Sequence, residues 1–239
     1  MRVSILTIFP DFFGPALAEG MIRAAREKGR LEVEVVGLRD FTDDTHRTTD
    51  DYPFGGGPGM IMKVEPLDRA LQSMALGDRD SRPSDARVVL LSPQGRPFTQ
   101  QVAFEYAGLA RLVLLCGRYK GVDERVREHL ADEELSLGDF VLSGGEPAAI
   151  ALLDACVRVL PGVIGAAESL AEESFERGLL EYPHYTRPQD WQGHAVPEAL
   201  LTGHHEKVHA WRLARAEETT RQRRPDLWER YAKARGRQG

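Results

Sequence analysis

The sequence predicts an α/β protein: a mostly parallel sheet covered by helices on both faces, followed by a smaller helical, basic segment. Three observations carry this. Short apolar strands alternate with helical stretches from the N-terminus to about Leu160, the pattern of successive βα units. Two glycine-rich stretches, Leu115–Arg125 and Leu137–Glu146, follow apolar runs, and glycine turns at the ends of buried strands form the lip of a ligand crevice in such sheets. From Ser174 the composition shifts to Tyr, His, Pro and Trp, and then to basic helices.

In chain order, Arg2–Phe9 reads as the first strand, Pro10–Pro15 as a loop and residues 16–28 as a helix stopped by Gly29. Leu31–Leu38 alternates as a second strand. A polar stretch, Arg39–Asp51, runs into Tyr52–Met60 with its Gly55-Gly56-Gly57-Pro58-Gly59 core; loops this long inside a compact domain are functional or disordered. Glu65–Met74 is helical and Leu76–Asp85 a polar linker. Arg87–Leu91 is a buried strand ending in Ser92-Pro93-Gln94-Gly95, with a helix over 98–109. The strand 111–116 enters the first glycine stretch, 122–130 is helical, and a strand over 139–143 leads through Gly144-Gly145-Glu146-Pro147 into the next helix. Pro161-Gly162 stops that helix. The small, acidic stretch after it reads as a linker, giving segments 1–163, 164–173 and 174–239. Three loops therefore fall at the carboxyl edge of the sheet, where open α/β folds bind ligands.

At 239 residues, 42% hydrophobic and 28% charged, the chain has room for one substantial core and a smaller domain. No apolar run approaches a membrane span, and Met1–Phe9 lacks a small-residue cleavage site. Cys116 and Cys156 have no metal-ligand spacing, so a reducing cytoplasm and no membrane partner are expected. The net charge of −6 argues against nucleic acid until its distribution is read. Residues 203–239 hold ten Lys and Arg against five Asp and Glu, so that tail is about +5 and the rest about −11. A basic terminal segment is a nucleic-acid footprint or a solvated helix face.

The glycine stretches match neither the dinucleotide fingerprint nor the P-loop. The three loops offer backbone donors and acceptors but no cluster of Lys and Arg, which suits a neutral or cationic ligand such as an adenosyl sulfonium. A single such loop would be an ordinary βα turn. Arg158, in a helix rich in Ala, Leu and Val, is either a snorkelling arginine or a guanidinium aimed at developing negative charge. Glu172 and Glu173 are solvated linker residues or carry a general base. Pro183-His184-Tyr185-Thr186-Arg187-Pro188 can stack a base and bind phosphate, or anchor the second domain as a prolyl turn. His204, His205 and His209 lack metal-ligand partners in sequence and fit a basic helical surface.

A set of collinear stretches resembles one family: the bacterial tRNA (guanine-N1)-methyltransferases of the SPOUT superfamily. They are Ile8-Phe9-Pro10, Gly55–Met60, Leu91–Gly95, Cys116–Tyr119, Gly138–Glu146, Pro161-Gly162-Val163 and Gly178–Pro188. The resemblance implies an α/β domain with a C-terminal trefoil knot, a small helical C-terminal domain, and a homodimer with sites at its interface. It also implies a tRNA substrate methylated at the guanosine 3′ to the anticodon, S-adenosylmethionine as cofactor, and Mg²⁺, for which the sequence shows no ligand set. By the same resemblance Leu91, Ser92 and Pro93, then Gly117, Tyr119 and Gly121, then Leu137, Gly138, Asp139, Phe140, Val141, Leu142, Gly144 and Gly145 hold the cofactor. Pro58, Gly59, Lys120, His184, Tyr185 and Arg187 meet the substrate. Arg158 stabilises charge on guanine O6 and Glu173 takes the N1 proton.

The sequence departs from the family pattern in three places. Lys120 stands where the family usually has glutamate, Glu173 where it has aspartate, and Gly-Glu-Pro-Ala replaces Gly-Glu-Leu-Pro, moving the proline to Pro147. Two alternatives stay open at this level: an enzyme of the same superfamily acting at another RNA position, and a relative that binds tRNA or the adenosyl ligand without turnover.

Overall fold

A strand whose successive side chains are all apolar must be covered on both faces, because alternate residues point in opposite directions. Arg87–Leu91 and Arg111–Cys116 are such strands, and they organise the fold. The computed structural model describes residues 1–164 and 172–236. The chain divides into two compact units, Met1–Gly165 and Ala166–Gly239. Residues 165–171, most of the expected linker, lie outside the described residues.

The first unit runs β1 (Arg2–Thr7), α1 (Gly14–Leu17), α2 (Gly20–Glu27), β2 (Glu32–Gly37), β3 (Asp50–Asp51), β4 (Ile61–Met62), α3 (Val64–Ser73) and β5 (Ala86–Pro97). It continues through α4 (Gln100–Ala107), β6 (Arg111–Cys116), β7 (Glu133–Ser136) and α5 (Glu146–Arg158). Five strands form one parallel sheet in the order β2-β1-β6-β5-β7, and β3 pairs antiparallel with β4. Leu112, Leu114 and Cys116 of β6 face one side with Val3, Ile5 and Val89, under apolar residues of α2, α4 and α5. Val113 and Leu115 face the other with Leu6, Val88 and Leu90, under α3 and a π-turn at Val126–Leu130. Each such buried Leu or Val contributes about 1.5–3 kcal/mol.

The second unit contains a short hairpin of β8 (Asp190–Trp191) and β9 (His194–Ala195), then α6 (His205–Arg223) and α7 (Pro225–Arg235). Arg224, at φ −137° and ψ 71°, leaves the helical conformation and Pro225 opens α7, which breaks what would otherwise be one helix. Its apolar core is thin: Leu179 and Ala216 are its fully buried apolar residues among those described, beside a buried Thr220. No described helix is long and apolar enough to cross a membrane.

Three elements differ from the sequence reading. The helix expected over 16–28 is two, because Glu19 is extended and Gly20 sits at a φ of 61°. β5 does not end at Leu91. Its pairing with β7 shifts between Leu91 and Arg96 and then resumes at Arg96 and Pro97, so residues 92–95 bulge from a continuing strand. The expected strand over 139–143 is absent; the strand is β7, which begins six residues earlier. Leu135 and Ser136 go into the sheet, whereas Phe140, Val141 and Leu142 are 54%, 84% and 40% exposed, so an apolar run that reads as a buried strand is an open loop.

The bulge depends on Gly95. A Cβ there would lie 2.3 Å from the Leu135 nitrogen, a clash with main chain that cannot rotate away. Gly95→Ala is expected to cost about 1–3 kcal/mol by overpacking and to lower the thermal midpoint by about 2–4 °C per kcal/mol. An unchanged melting curve would show that the β5–β7 contact is looser than this.

Candidate active site

The carboxyl ends of β6, β5 and β7 lie side by side, and the loop after each closes round one cleft of about 230 Å³. The bulge supplies Leu91, Ser92 and Pro93, the first glycine loop Gly117, Tyr119, Lys120 and Gly121. The second contributes Leu137, Gly138, Phe140, Val141, Leu142, Gly144 and Gly145. The exposed apolar loop thus forms a wall of the cleft, opposite backbone groups at strand ends. Tyr119, at a φ of 61°, and Gly121, at 128°, turn the chain so that the Lys120 N–H donates to the Met60 carbonyl at 3.1 Å. Of the residues expected there, Asp139 is exposed and does not line the cleft.

The loops are tied together by one buried carboxylate. Glu146, fully buried at the start of α5, accepts a hydrogen bond from the Thr7 hydroxyl at 2.7 Å and one from Arg118 Nε at 2.9 Å. Arg118 also donates to the Ser143 carbonyl at 3.3 Å, and its guanidinium lies 4.6 Å from the centre of the Phe9 ring. The Thr7 oxygen accepts from the Phe9 N–H at 2.9 Å. The helix N-terminus adds a favourable field for the carboxylate. Gly144 is pressed between the pair: a Cβ would lie 2.1 Å from Arg118 Nε. Burial and the nearby Glu146 hold the Cys116 thiol well above its ordinary range, and burial pushes Cys156 up to about 12, so neither supplies a thiolate nucleophile.

The other expected residues fall elsewhere. Gly59 lies against the Lys120 side chain: its hypothetical Cβ would be 2.7 Å from Lys120 Cδ; Pro58 is exposed beside it. Lys120 makes no ion pair with another described residue. Arg158 is the last residue of α5, while Gly145, which precedes the first turn of that helix, lines the cleft. At about 1.5 Å per residue the helix separates them by ~18 Å.

In the second unit, Glu172 and Glu173 line a cavity of about 50 Å³ with Arg177, Tyr182, His209 and Arg212. Glu172 is not a solvated linker residue: Tyr182 and Arg212 both donate to it. His184 pairs with Glu181 at 2.7 Å, the Tyr185 ring lies 6.3 Å from Trp211, and Arg187 is exposed. Sequence reasoning quoted Arg118 and Glu146 inside motifs but gave them no role, and missed Tyr182 and Arg212. The one signal for Glu146 was a carboxylate immediately preceding an apolar helix.

An α/β sheet with three glycine-bearing loops around one cleft at its carboxyl edge defines a protein built to hold a small ligand at adjacent strand ends. The comparisons give the family. The family model described as tRNA (Guanine-1)-methyltransferase TrmD matches residues 1–230, and the chain belongs to this family. A Rhodospirillum rubrum tRNA (guanine-N(1)-)-methyltransferase is 52% identical over 235 residues, 98% of this chain and 95% of the relative. Proteins of the same name from Moorella thermoacetica and Brucella ovis are 52% and 49% identical, over 95% and 98% of this chain and 90% and 94% of theirs.

Breaking a buried ion pair by removing one partner costs about 3–5 kcal/mol, because the other charge stays uncompensated. Glu146→Ala is therefore expected to lower the unfolding midpoint sharply in denaturant titrations. Replacing both members, Glu146→Leu with Arg118→Met, should recover part of that loss. A single variant as stable as the parent would remove the pair from this role.

Proposed function

We infer that the protein transfers a methyl group from S-adenosylmethionine to N1 of a guanine in tRNA, at the guanosine 3′ to the anticodon. The observation that carries this is the convergence of all three loops on one cleft in a chain of this family. The cleft fits the cofactor by chemistry: apolar walls from Leu91, Leu137, Val141 and Leu142 suit an adenine ring, and strand-end backbone groups suit its polar edge. Arg118 and Arg127 are neutralised by Glu146 and Glu124, which leaves Lys120 as a lone cation among the cleft's described lining residues rather than a phosphate-binding cluster. Three strand-end loops of this kind fit the family's knotted topology. When bound, the cofactor supplies an electrophilic sulfonium methyl.

The chain's own residues do the rest. Guanine N1 carries a proton at neutral pH and is a poor nucleophile until that proton leaves. Glu173 takes the N1 proton, and the Arg158 guanidinium meets the charge that spreads to O6. The tight loops would hold the cofactor in one orientation, and positioning of this kind supplies much of the rate. Since Arg158 stands at the end of α5 remote from its own cleft, it serves the cleft of a second copy, and the protein works as a homodimer. Uncovered Phe9, Phe12, Phe140 and Val141 give the first unit apolar surface for that contact. Among the described residues no three His, Cys, Asp or Glu side chains converge, so they form no protein ligand set for Mg²⁺. Buried, unpaired cysteines suit a cytoplasmic enzyme.

The basic helices hold the tRNA backbone, but not with every arginine. Arg215, Arg224 and Arg235 are paired with Glu218, Asp226 and Glu217. Arg221 and Arg223 make no ion pair with a described residue and are the better phosphate contacts.

The test is incubation with labelled S-adenosylmethionine and an unmodified transcript carrying that guanosine, followed by mapping of the label. Methyl on guanine N1 there, lost when the base is adenosine, is the expected result; cofactor binding without transfer would overturn the reading. Arg158→Ala and Glu173→Gln should each slow transfer by roughly 10²–10⁴. Lys120→Glu should retain turnover, and a collapse would give the lysine a role of its own. Replacing Arg221 and Arg223 by Ala should flatten the salt dependence of tRNA binding by about 0.7–0.9 in log–log slope per contact. An unchanged slope would return that face to solvent.

A further inference from the structure

The segment that carries Glu173 is closed on itself and fastened to α6. The Phe175 N–H donates to the Leu179 carbonyl at 2.8 Å and the Glu181 N–H to the Ser174 hydroxyl at 3.0 Å. The Leu180 N–H donates to Thr220 Oγ1 at 2.8 Å, which in turn donates to the Ala216 carbonyl at 2.7 Å. Phe175 sits at a φ of 79°, a conformation that costs a bulky residue about 1–3 kcal/mol and persists only where its surroundings over-determine it. These contacts hold the distal part of the segment. The end bearing Glu172 and Glu173 has one long main-chain bond, from the Glu176 N–H to the Glu173 carbonyl at 3.4 Å, and is held in addition by side chains on Glu172.

We propose that Tyr182 and Arg212 are positioning residues: together they clamp the Glu172 carboxylate and so fix the adjoining main chain that carries Glu173. The Tyr182 hydroxyl donates to Glu172 Oε2 at 2.7 Å, and Arg212 Nη1 donates to the same oxygen at 3.4 Å. The Arg212 guanidinium lies 4.8 Å from the centre of the Tyr182 ring, so the three side chains close a triangle. Arg212 Nε is buried and has no hydrogen-bond partner among the described residues, so the guanidinium takes its place from the ring and from Glu172. The Tyr182 hydrogen bond, aided by Arg212, Arg177 and His209, holds the Glu172 carboxyl below its usual range, so it stays an acceptor at neutral pH. Burial and that same bond push the Tyr182 phenol up to about 12, so it stays a donor. Consecutive Cα atoms are about 3.8 Å apart, so freeing Glu172 loosens Glu173 with no intervening residue to absorb the motion. A displacement of about 1 Å at a reacting group is enough to cost ~10²-fold in rate.

This proposal rests on Glu173 being the base, and the test separates the two. Single-turnover transfer at saturating tRNA and cofactor is measured for Tyr182→Phe, which removes only the hydroxyl, for Glu172→Gln, for their combination, and for Glu173→Gln. Tyr182→Phe and Glu172→Gln are each expected to slow the transfer step by about 10- to 100-fold, with KM for tRNA within about twofold of the parent. The combined variant should be no slower than the slower single one, since both changes open the same clamp. Arg212→Lys, which keeps the charge but loses the planar fork, should also be slow. Unchanged rates, losses that multiply in the combined variant, or a raised KM with an unchanged transfer step would each overturn the clamp. Loss in Glu173→Gln alongside a parental rate in Tyr182→Phe overturns the clamp and keeps the base. A parental rate in Glu173→Gln overturns the base assignment, and the clamp with it.

Discussion

A carboxylate cut off from water must be matched by donors that stay in place, or the fold will not tolerate it. Glu146 is that group here, and the site's geometry hangs on how it is matched. Its two partners come from the end of β1 and from the loop after β6, while it stands at the start of α5. Arg118, its charged partner, reaches on to the loop after β7 through Ser143 and lies over Phe9 beyond β1. Three pieces of chain distant in sequence are thus fixed about one charge pair. Hydrophobic packing alone could not do this, since apolar contacts are non-directional and the loops are where the sheet's apolar faces end. The pair adds little net stability over an apolar substitute, but it specifies where each loop lies.

The sheet was legible because burial on both faces writes continuous apolar runs into a sequence, and Arg87–Leu91 and Arg111–Cys116 are such runs. The same rule misplaced β7. Glu133-Glu134-Leu135-Ser136 is an edge strand with two partly exposed glutamates, so it carries no run, whereas Phe140-Val141-Leu142 carries one and is a loop. What distinguishes them is the destination of the side chains, a cleft rather than a core, and local pattern does not record it. The continuation of β5 past Gly95 was hidden for a related reason: Pro93 and Gly95 signal a turn, and the turn is there, but as a bulge within a strand that resumes pairing.

For the site, residue type revealed the loops and position revealed much less. Glycine at a strand end is visible in sequence because few other residues can stand where main chains nearly touch, as Gly145 does beside Cys116. Side chains that act through distant partners are invisible: Thr7 and Glu146 are 139 positions apart, and Glu172 and Arg212 are 40. Glu172 in particular sits in an acidic stretch whose composition says solvated linker. Its hydrogen bonds come from a tyrosine and an arginine that a one-dimensional reading sees only as an aromatic and a basic residue.

The two units hold their functional groups by different physics. In the first, the loops are short extensions of strands packed on both faces, so the cleft inherits the rigidity of a close-packed sheet. In the second, a thin core cannot impose position by packing, and a chain that buries so few apolar side chains opens locally at small cost. On the proposed reading Glu173 must meet a proton at hydrogen-bond distance, and it therefore needs a directional restraint close by in the chain. A hydroxyl and a guanidinium converging on one carboxylate oxygen supply direction where burial cannot, because charge-assisted hydrogen bonds lose strength steeply with distance and angle. On that reading the glutamate at 173, one methylene longer than aspartate, widens the space the carboxylate explores, and the clamp at Glu172 removes the main-chain share of that motion.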